Sequence, residues 1–328
     1  LEVGRPDLAV KSNLTKEDLA GMLYDSLRNK IMPLPDETIV YPGHGAGSAC
    51  GKNISSGTSC TIGRQKQNNY ALQPMTKEEF INVVAADLPT PPKYFFYDAA
   101  KNKEGYKSIE EVFNQNLKPL NFSQVNKATQ EGALITDCRD QQELVKTGII
   151  PGSVAISLTG PFASWVGSLL DPDTKIVVLC EPGKEKEAVL RLARVGYENC
   201  VGYVDGGIQE WTKNGGSTEK VPILDTKEYL TQGDKVKGQN VILLDIRNEN
   251  EWRTGIMEDS KLLSLGNLPN KINELPKDKK YYILCGSGFR AKIAYSLMRR
   301  NGFKDMVVLE GGATKMKQDG GKFVDWQN

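Results

Sequence analysis

One stretch of the chain combines a nucleophile, a cation and a pliable loop: Tyr281-Tyr-Ile-Leu-Cys-Gly-Ser-Gly-Phe-Arg290. An apolar run ends at Cys285, a loop holding Gly286 and Gly288 follows, and Arg290 opens a segment with helical apolar spacing that runs to Arg300. Cys285 therefore stands where a buried strand stops and the positive end of a helix begins. Free backbone N–H groups and the helix dipole favour an anion there and lower a thiol's pKa. Gly286 and Gly288 let the loop curl so that several N–H groups face the sulfur, and Ser287 and Phe289 complete its substrate-facing side. Arg290 adds a permanent charge and a fork of donors for an anionic substrate. The chemistry implied is that of a thiolate nucleophile.

The rest of the chain bounds that chemistry. Its 328 residues suit two or three domains, and 39% apolar with 25% charged residues is the balance of a globular protein. Lys plus Arg total 42 against 41 for Asp plus Glu, so no excess charge points to nucleic acid or an anionic membrane. No apolar run approaches the ~20 residues that span a bilayer. There is neither a secretory signal nor an initiator Met. Six scattered cysteines suit a reducing compartment, hence a cytoplasmic location, better than a disulfide framework. With His44 as the single histidine, the chain cannot assemble a multi-histidine metal site, and no metal ligand is assigned.

The loop needs a strand before it and a helix after it, and the sequence supplies this plan twice. Asp137-Cys-Arg-Asp140 corresponds to Asp245-Ile-Arg-Asn248, 108 residues on. Cys180 corresponds to Cys285, and Gly206-Gly207 to Gly311-Gly312, both 105 residues on. A repeat of that length means duplicated domains, and strands alternating with helices in each copy imply parallel sheets covered on both faces. Residues 126–217 and 218–328 are thus two α/β domains, preceded by a first unit over 1–105 and a stretch, 106–125, read mainly as linker with a short helical turn at Ile109 to Phe113. The first unit shows helices from Thr15 to Asn29 and Met75 to Ala86, with a short strand at Thr38 to Tyr41.

A Cys, four residues and an Arg at a strand–helix junction resembles the active loop of rhodaneses. The Asp-x-Arg strand end and the later Gly-Gly extend the likeness over residues 130–318. It implies that Cys285 carries a persulfide taken from thiosulfate or a low-molecular-weight persulfide and hands it to a thiol such as glutathione, or to cyanide. Cys285 and Arg290 are then catalytic, with Gly286, Ser287, Gly288 and Phe289 lining the substrate, whereas Asp245 and Arg247 are structural. Tyrosine and arsenate phosphatases use a similar loop with one residue more, so a small-anion phosphatase or arsenate reductase stays open as an alternative, as does a sulfur-relay or docking module without turnover of its own. The first copy departs from the pattern. Glu181-Pro-Gly-Lys-Glu185 follows Cys180, Pro182 removes a donor, and Glu185 stands where Arg290 stands in the second copy. It reads as a degenerate domain used for scaffolding or docking, with Cys180 either inert or a recipient of sulfur from Cys285.

In the first unit, Gly4-Arg-Pro-Asp-Leu8, Tyr41-Pro-Gly-His-Gly-Ala-Gly-Ser48 and Cys50-Gly-Lys52 are similar to the closing third of persulfide dioxygenases, iron enzymes on the metallo-β-lactamase fold. This implies the C-terminal part of an αββα domain, with Arg5 and Tyr41 in its substrate pocket and His44 near the site without ligating iron. Cys50 is a candidate reactive thiol. The family's metal motif would lie before Leu1, so the expectation is no cofactor in this chain and Fe(II) in the intact parent. The whole resembles a persulfide dioxygenase–rhodanese fusion. The sequence leaves a homo-oligomer open.

Overall fold

Thr15 and Asp18 open the first helix by satisfying each other: Thr15 Oγ1 accepts from the Asp18 N–H at 3.1 Å, and the Asp18 carboxylate accepts from the Thr15 N–H at 2.9 Å. The structure, a computed structural model, describes residues 4–6, 14–43, 57–86, 88, 94–232 and 238–327. They fall into two compact units, Leu1–Ala99 and Ala100–Asn328.

In the first unit α1 (Lys16–Ser26) runs on through a wider π turn, Leu27–Ile31. The expected strand is two residues long: β1 (Ile39–Val40) pairs antiparallel with β2 (Cys60–Thr61). Then come α2 (Ile62–Asn68) and α3 (Lys77–Ala85), the latter opened by a Thr76–Glu79 capping box. Leu27, Leu72, Phe80 and Val84 form a small core between these helices, with the Tyr24 ring edge-on to Phe80 at 5.4 Å. Helix α4 (Tyr94–Glu104) carries the chain across the boundary.

The second unit starts earlier than the sequence suggests. Residues 106–125, read mainly as linker, hold α5 (Ile109–Asn116), the edge strand β3 (Pro119–Leu120) and the start of α6 (Phe122–Gln130). Val112 is buried, and Asn116 donates through Nδ2 to the Glu198 carbonyl at 2.7 Å, so α5 belongs to the first copy's core. The helix is too short for its periodicity to stand out, since one buried valine marks its inner face.

The first copy continues with β4 (Leu134–Asp137), α7 (Gln141–Thr147), β5 (Val154–Ala155), α8 (Phe162–Leu169), β6 (Ile176–Leu179), α9 (Glu185–Ala193), β7 (Cys200–Val204) and α10 (Gly207–Lys213). The second follows with β8 (Ile223–Asp225), α11 (Thr226–Thr231), β9 (Val241–Asp245), α12 (Glu249–Trp252), β10 (Ile256–Met257), β11 (Lys261–Leu262), α13 (Leu268–Lys271), β12 (Lys280–Leu284), α14 (Phe289–Arg300), β13 (Met306–Glu310), α15 (Gly312–Gln318) and β14 (Phe323–Val324). The sheets are ordered β3-β7-β6-β4-β5 and β8-β13-β12-β9-β11, the same order strand for strand, and every pair within them is parallel. The expected duplication of a parallel α/β domain is what the chain builds.

Strand alternation assigns the two faces. Val177 and Leu179 pack on one side of the first sheet, and Tyr282 and Leu284 on one side of the second, each with its own apolar cluster. Ile176, Val178, Tyr281 and Ile283 point the other way, into a cluster that runs through both copies. Helix α14 crosses from one to the other. Ser296 Oγ accepts from the Ala155 N–H at 2.9 Å, Arg300 donates to the Gly152 carbonyl at 2.8 Å, and Arg299 grips Glu219 with two hydrogen bonds of 2.6 and 3.0 Å. Ser296→Ala orphans the buried Ala155 N–H and should cost about 1–3 kcal/mol. Urea unfolding measures this, and an unchanged midpoint would show that the junction is not held there.

Candidate active site

Cys285 follows the last residue of β12, and α14 begins four residues later, so the loop Cys285–Gly288 joins a buried strand to a helix N-terminus. Gly288 takes a left-handed conformation, φ 95°, which turns its N–H back onto the sulfur: the amide donates to Cys285 Sγ at 3.1 Å. Cys285 is fully buried, Gly286 is half-buried and Ser287 is exposed on the loop. The sulfur thus lies on the floor of the loop, against one amide and at the positive end of α14.

The loop is fixed from a second side by the residues after β13. Ala313 N–H donates to the Cys285 carbonyl at 2.7 Å and Thr314 N–H to the Gly286 carbonyl at 3.1 Å. Gly312 makes this approach possible. A Cβ there would lie 2.6 Å from both Gly286 C and Ser287 N. The Gly-Gly pair, visible in the sequence only as a repeat marker, is the space into which the active loop is pressed.

Arg290 is committed elsewhere than the sequence implied. Its two terminal nitrogens bond to the Glu251 carboxylate at 2.5 and 2.6 Å, a bidentate clasp from α14 to α12. Burial alone would push Glu251 up, but the hydrogen bonds from Arg290 and from the Asn248 N–H outweigh it and hold the carboxylate below its ordinary value. Arg290 is raised above the ordinary arginine value, chiefly by the same hydrogen bond. The clasp has its own support. Arg247 is buried against Asp245 and donates to the Glu251 and Gly255 carbonyls at 3.4 and 2.9 Å, so the structural reading of Asp245 and Arg247 acquires an object, the placing of Glu251. Phe289 is held by the first copy. Gln141 Nε2 donates to its carbonyl at 3.0 Å, and its ring lies over Gly160, 3.2 Å from where a Cβ would stand.

In the first copy Glu185 bends back and accepts from the Gly183 N–H at 3.0 Å, filling the loop with its own carboxylate. Glu181 accepts from the Asp140 N–H at 2.6 Å. Burial first, then Glu185 and Glu181, push the Cys180 thiol up to about 12. Burial likewise raises Cys138, and lifts Cys200 to about 11.

The first-unit candidates are not gathered into one site. Arg5 is buried and lines a groove of about 350 Å³ with Leu19, Met22, Leu23 and Ser26, whereas Tyr41 is 75% exposed and is not among the described residues of that groove. His44 and Cys50 lie outside the described residues. Among those described, no group of three His, Cys, Asp or Glu side chains is placed to hold a metal ion. No described helix is long and apolar enough to cross a membrane.

Glu251 supplies a pH signature. Its folded pKa lies below the ordinary 4.5, so the clasp stabilises fully above that value and the stabilisation is lost as pH falls through the folded pKa. Glu251→Gln should therefore be less stable than the parent at neutral pH, with the gap closing as pH falls below the ordinary carboxylate value and through the lowered folded pKa. Denaturant midpoints at several pH values measure it, and a gap that persists into acid would mean that the carboxylate charge is not what matters.

The profile of the rhodanese-like domain matches residues 122–214 and 228–319, together more than half of the chain. The Bacillus subtilis (strain 168) protein named "Putative sulfurtransferase YtwF" is 32% identical over 92 residues, which is 27% of this chain and 88% of that protein. The tRNA uridine(34) hydroxylase of Acinetobacter baumannii (strain AYE) is 31% identical over 102 residues, and the match spans only 32% of its length. Among solved structures, a metallo-beta-lactamase from Staphylococcus aureus subsp. aureus COL aligns over 62% of this chain and 55% of that chain, with 28% identity and a TM-score of 0.49. The duplicated parallel sheets, the cysteine loop between strand and helix and the two matched segments agree: the chain belongs to the rhodanese-like domain family and carries two copies of that domain.

Proposed function

We propose that the second copy is a sulfurtransferase whose carrier is Cys285. The observation that supports this most is the Gly288 N–H on Cys285 Sγ at 3.1 Å, inside a loop pinned by the amides after Gly312. The Cys285 thiolate attacks the outer sulfur of thiosulfate; the donor S–S bond breaks, sulfite leaves, and Cys285 becomes a persulfide anion. A low-molecular-weight persulfide donates in the same way, with its thiolate as leaving group. An acceptor thiolate such as that of glutathione then attacks the outer sulfur, breaks the new S–S bond and regenerates the Cys285 thiolate. The Gly288 amide and the α14 terminus hold the anion in both states. A phosphate would need more room than four residues between Cys and Arg allow, and a free guanidinium fork, which Glu251 occupies here.

In the same reading the first copy scaffolds the second, and the first unit is the closing part of a persulfide dioxygenase domain whose Fe(II) belongs to an intact parent. The name of YtwF supports the transferase part. One observation favours a second reading, a sulfur relay that works only with a specific protein partner: Cys285 is fully buried in the absence of a donor.

Intact-protein mass spectrometry after mixing with thiosulfate decides between them. The parent should gain one sulfur and Cys285→Ser none, with the variant's thermal midpoint unchanged. A gain that survives Cys285→Ser would overturn the assignment. No gain in the parent would move it to the relay. Iron analysis of the purified chain should read near zero, and stoichiometric tight iron would overturn the placing of Fe(II) outside it.

A further inference from the structure

Lys292 is a lysine at 5% exposure, one helical turn from the loop on α14, and the sulfur chemistry above leaves it unused. Lysines are buried this deeply almost only when paired. Its Nζ meets Glu310 Oε2 at 2.6 Å. Glu310 ends β13, and its carboxylate lies against the active loop, 3.1 Å from where a Cβ would stand on Gly288. Gly288 is the residue whose amide holds the sulfur.

The charges around the loop come in pairs, element by element. Asp245 and Arg247 pair after β9, Glu251 on α12 pairs with Arg290, and Glu310 after β13 pairs with Lys292. On α15, Lys315 pairs with Asp225 and Asp319. The first copy contributes Gln141 and the backbone at Gly160, whose carbonyl accepts from Arg191 at 3.5 Å, and Arg191 is itself paired with Glu187. At the corresponding positions of the first copy's own loop, 105 residues earlier, Arg290 becomes Glu185, Lys292 becomes Glu187 and Glu310 becomes Asp205. The carboxylate at the end of the strand stays while both cations are gone. Cys180, beside those residues, is the thiol pushed up by burial, Glu185 and Glu181.

We propose that Lys292 is a positioning residue of the sulfur site: it neutralises Glu310, so that the Gly288 amide faces a sulfur anion on Cys285 without an uncompensated carboxylate behind it. This deepens the reading of Cys285 as sulfur carrier and rests on it. Removing Lys292 leaves a negative charge beside the loop and disfavours the thiolate; removing Glu310 leaves a positive one and favours it.

The test titrates the Cys285 thiolate by ultraviolet absorbance, each variant measured against the same variant carrying Cys285→Ser. Lys292→Met should move the midpoint upward by on the order of one pH unit, and Glu310→Gln should move it downward. The double variant should return close to the parent. A folded Lys292→Met protein with an unmoved midpoint, or the two single variants shifting in the same direction, would overturn the proposal. If Lys292→Met does not fold, Glu310→Gln decides alone: a downward shift supports the assignment and none overturns it. The titration needs no donor, so a parent whose thiol titrates but takes no sulfur removes the transferase reading. An indifferent titration removes only the role of Lys292.

Discussion

A sulfur anion at the end of a buried strand has no water to solvate it, so backbone N–H groups must take that place. The backbone around Cys285 is arranged in a way that meets this need. The strand ends there because a helix must begin there, and the left-handed turn at Gly288 exists so that one amide of the junction points inward rather than along the helix. A loop bent this way leaves its own carbonyls unpaired, and the amides after Gly312 take them up. Chemistry and packing are solved by one set of backbone bonds, with side chains called on only to hold the set still.

The two copies separate frame from chemistry. Strand order, the buried Asp-x-Arg pair and the left-handed glycine pair after the last long strand are common to both. What differs is the sign of charge beside the cysteine. Where the second copy has Arg290 folded onto Glu251, the first has Glu185 folded onto its own loop amide, so an internal carboxylate occupies the kind of donor that a substrate anion would need. A parallel sheet tolerates that change because the substituted residues lie beyond the strand ends, outside its ladder of hydrogen bonds.

Much of this was legible in the sequence because the cysteine loop is contiguous: Cys285 to Arg290 with their strand and helix are read in one glance, and the repeat offsets give the fold. The groups that hold the loop were not, because they come from far along the chain. Glu251 lies 39 residues before Arg290, and Gln141 lies 148 before Phe289, distances that only the sheet topology closes. An isolated arginine shows its charge in the sequence and not its partner, so the Arg290–Glu251 clasp is visible only in the structure. The burial of Lys292 is set by Glu310 at the end of a strand that arrives later in the chain, which no local pattern shows. The helix at Ile109–Asn116 shows another limit: eight residues are too few for periodicity to declare itself.

The apolar cluster that passes through both sheets has a consequence for how the duplication can change. On this face neither copy closes a core by itself: Leu134, Val178 and Phe162 share one interior with Ile283, Ile293 and Val308. The half with the acidic loop, whose Cys180 thiol is pushed up by burial and by Glu185 and Glu181, is still needed by its neighbour. Cutting it away would wet the inner face of α14, the helix that follows the Cys285 loop, so the first copy stands as a wall against which its neighbour is packed.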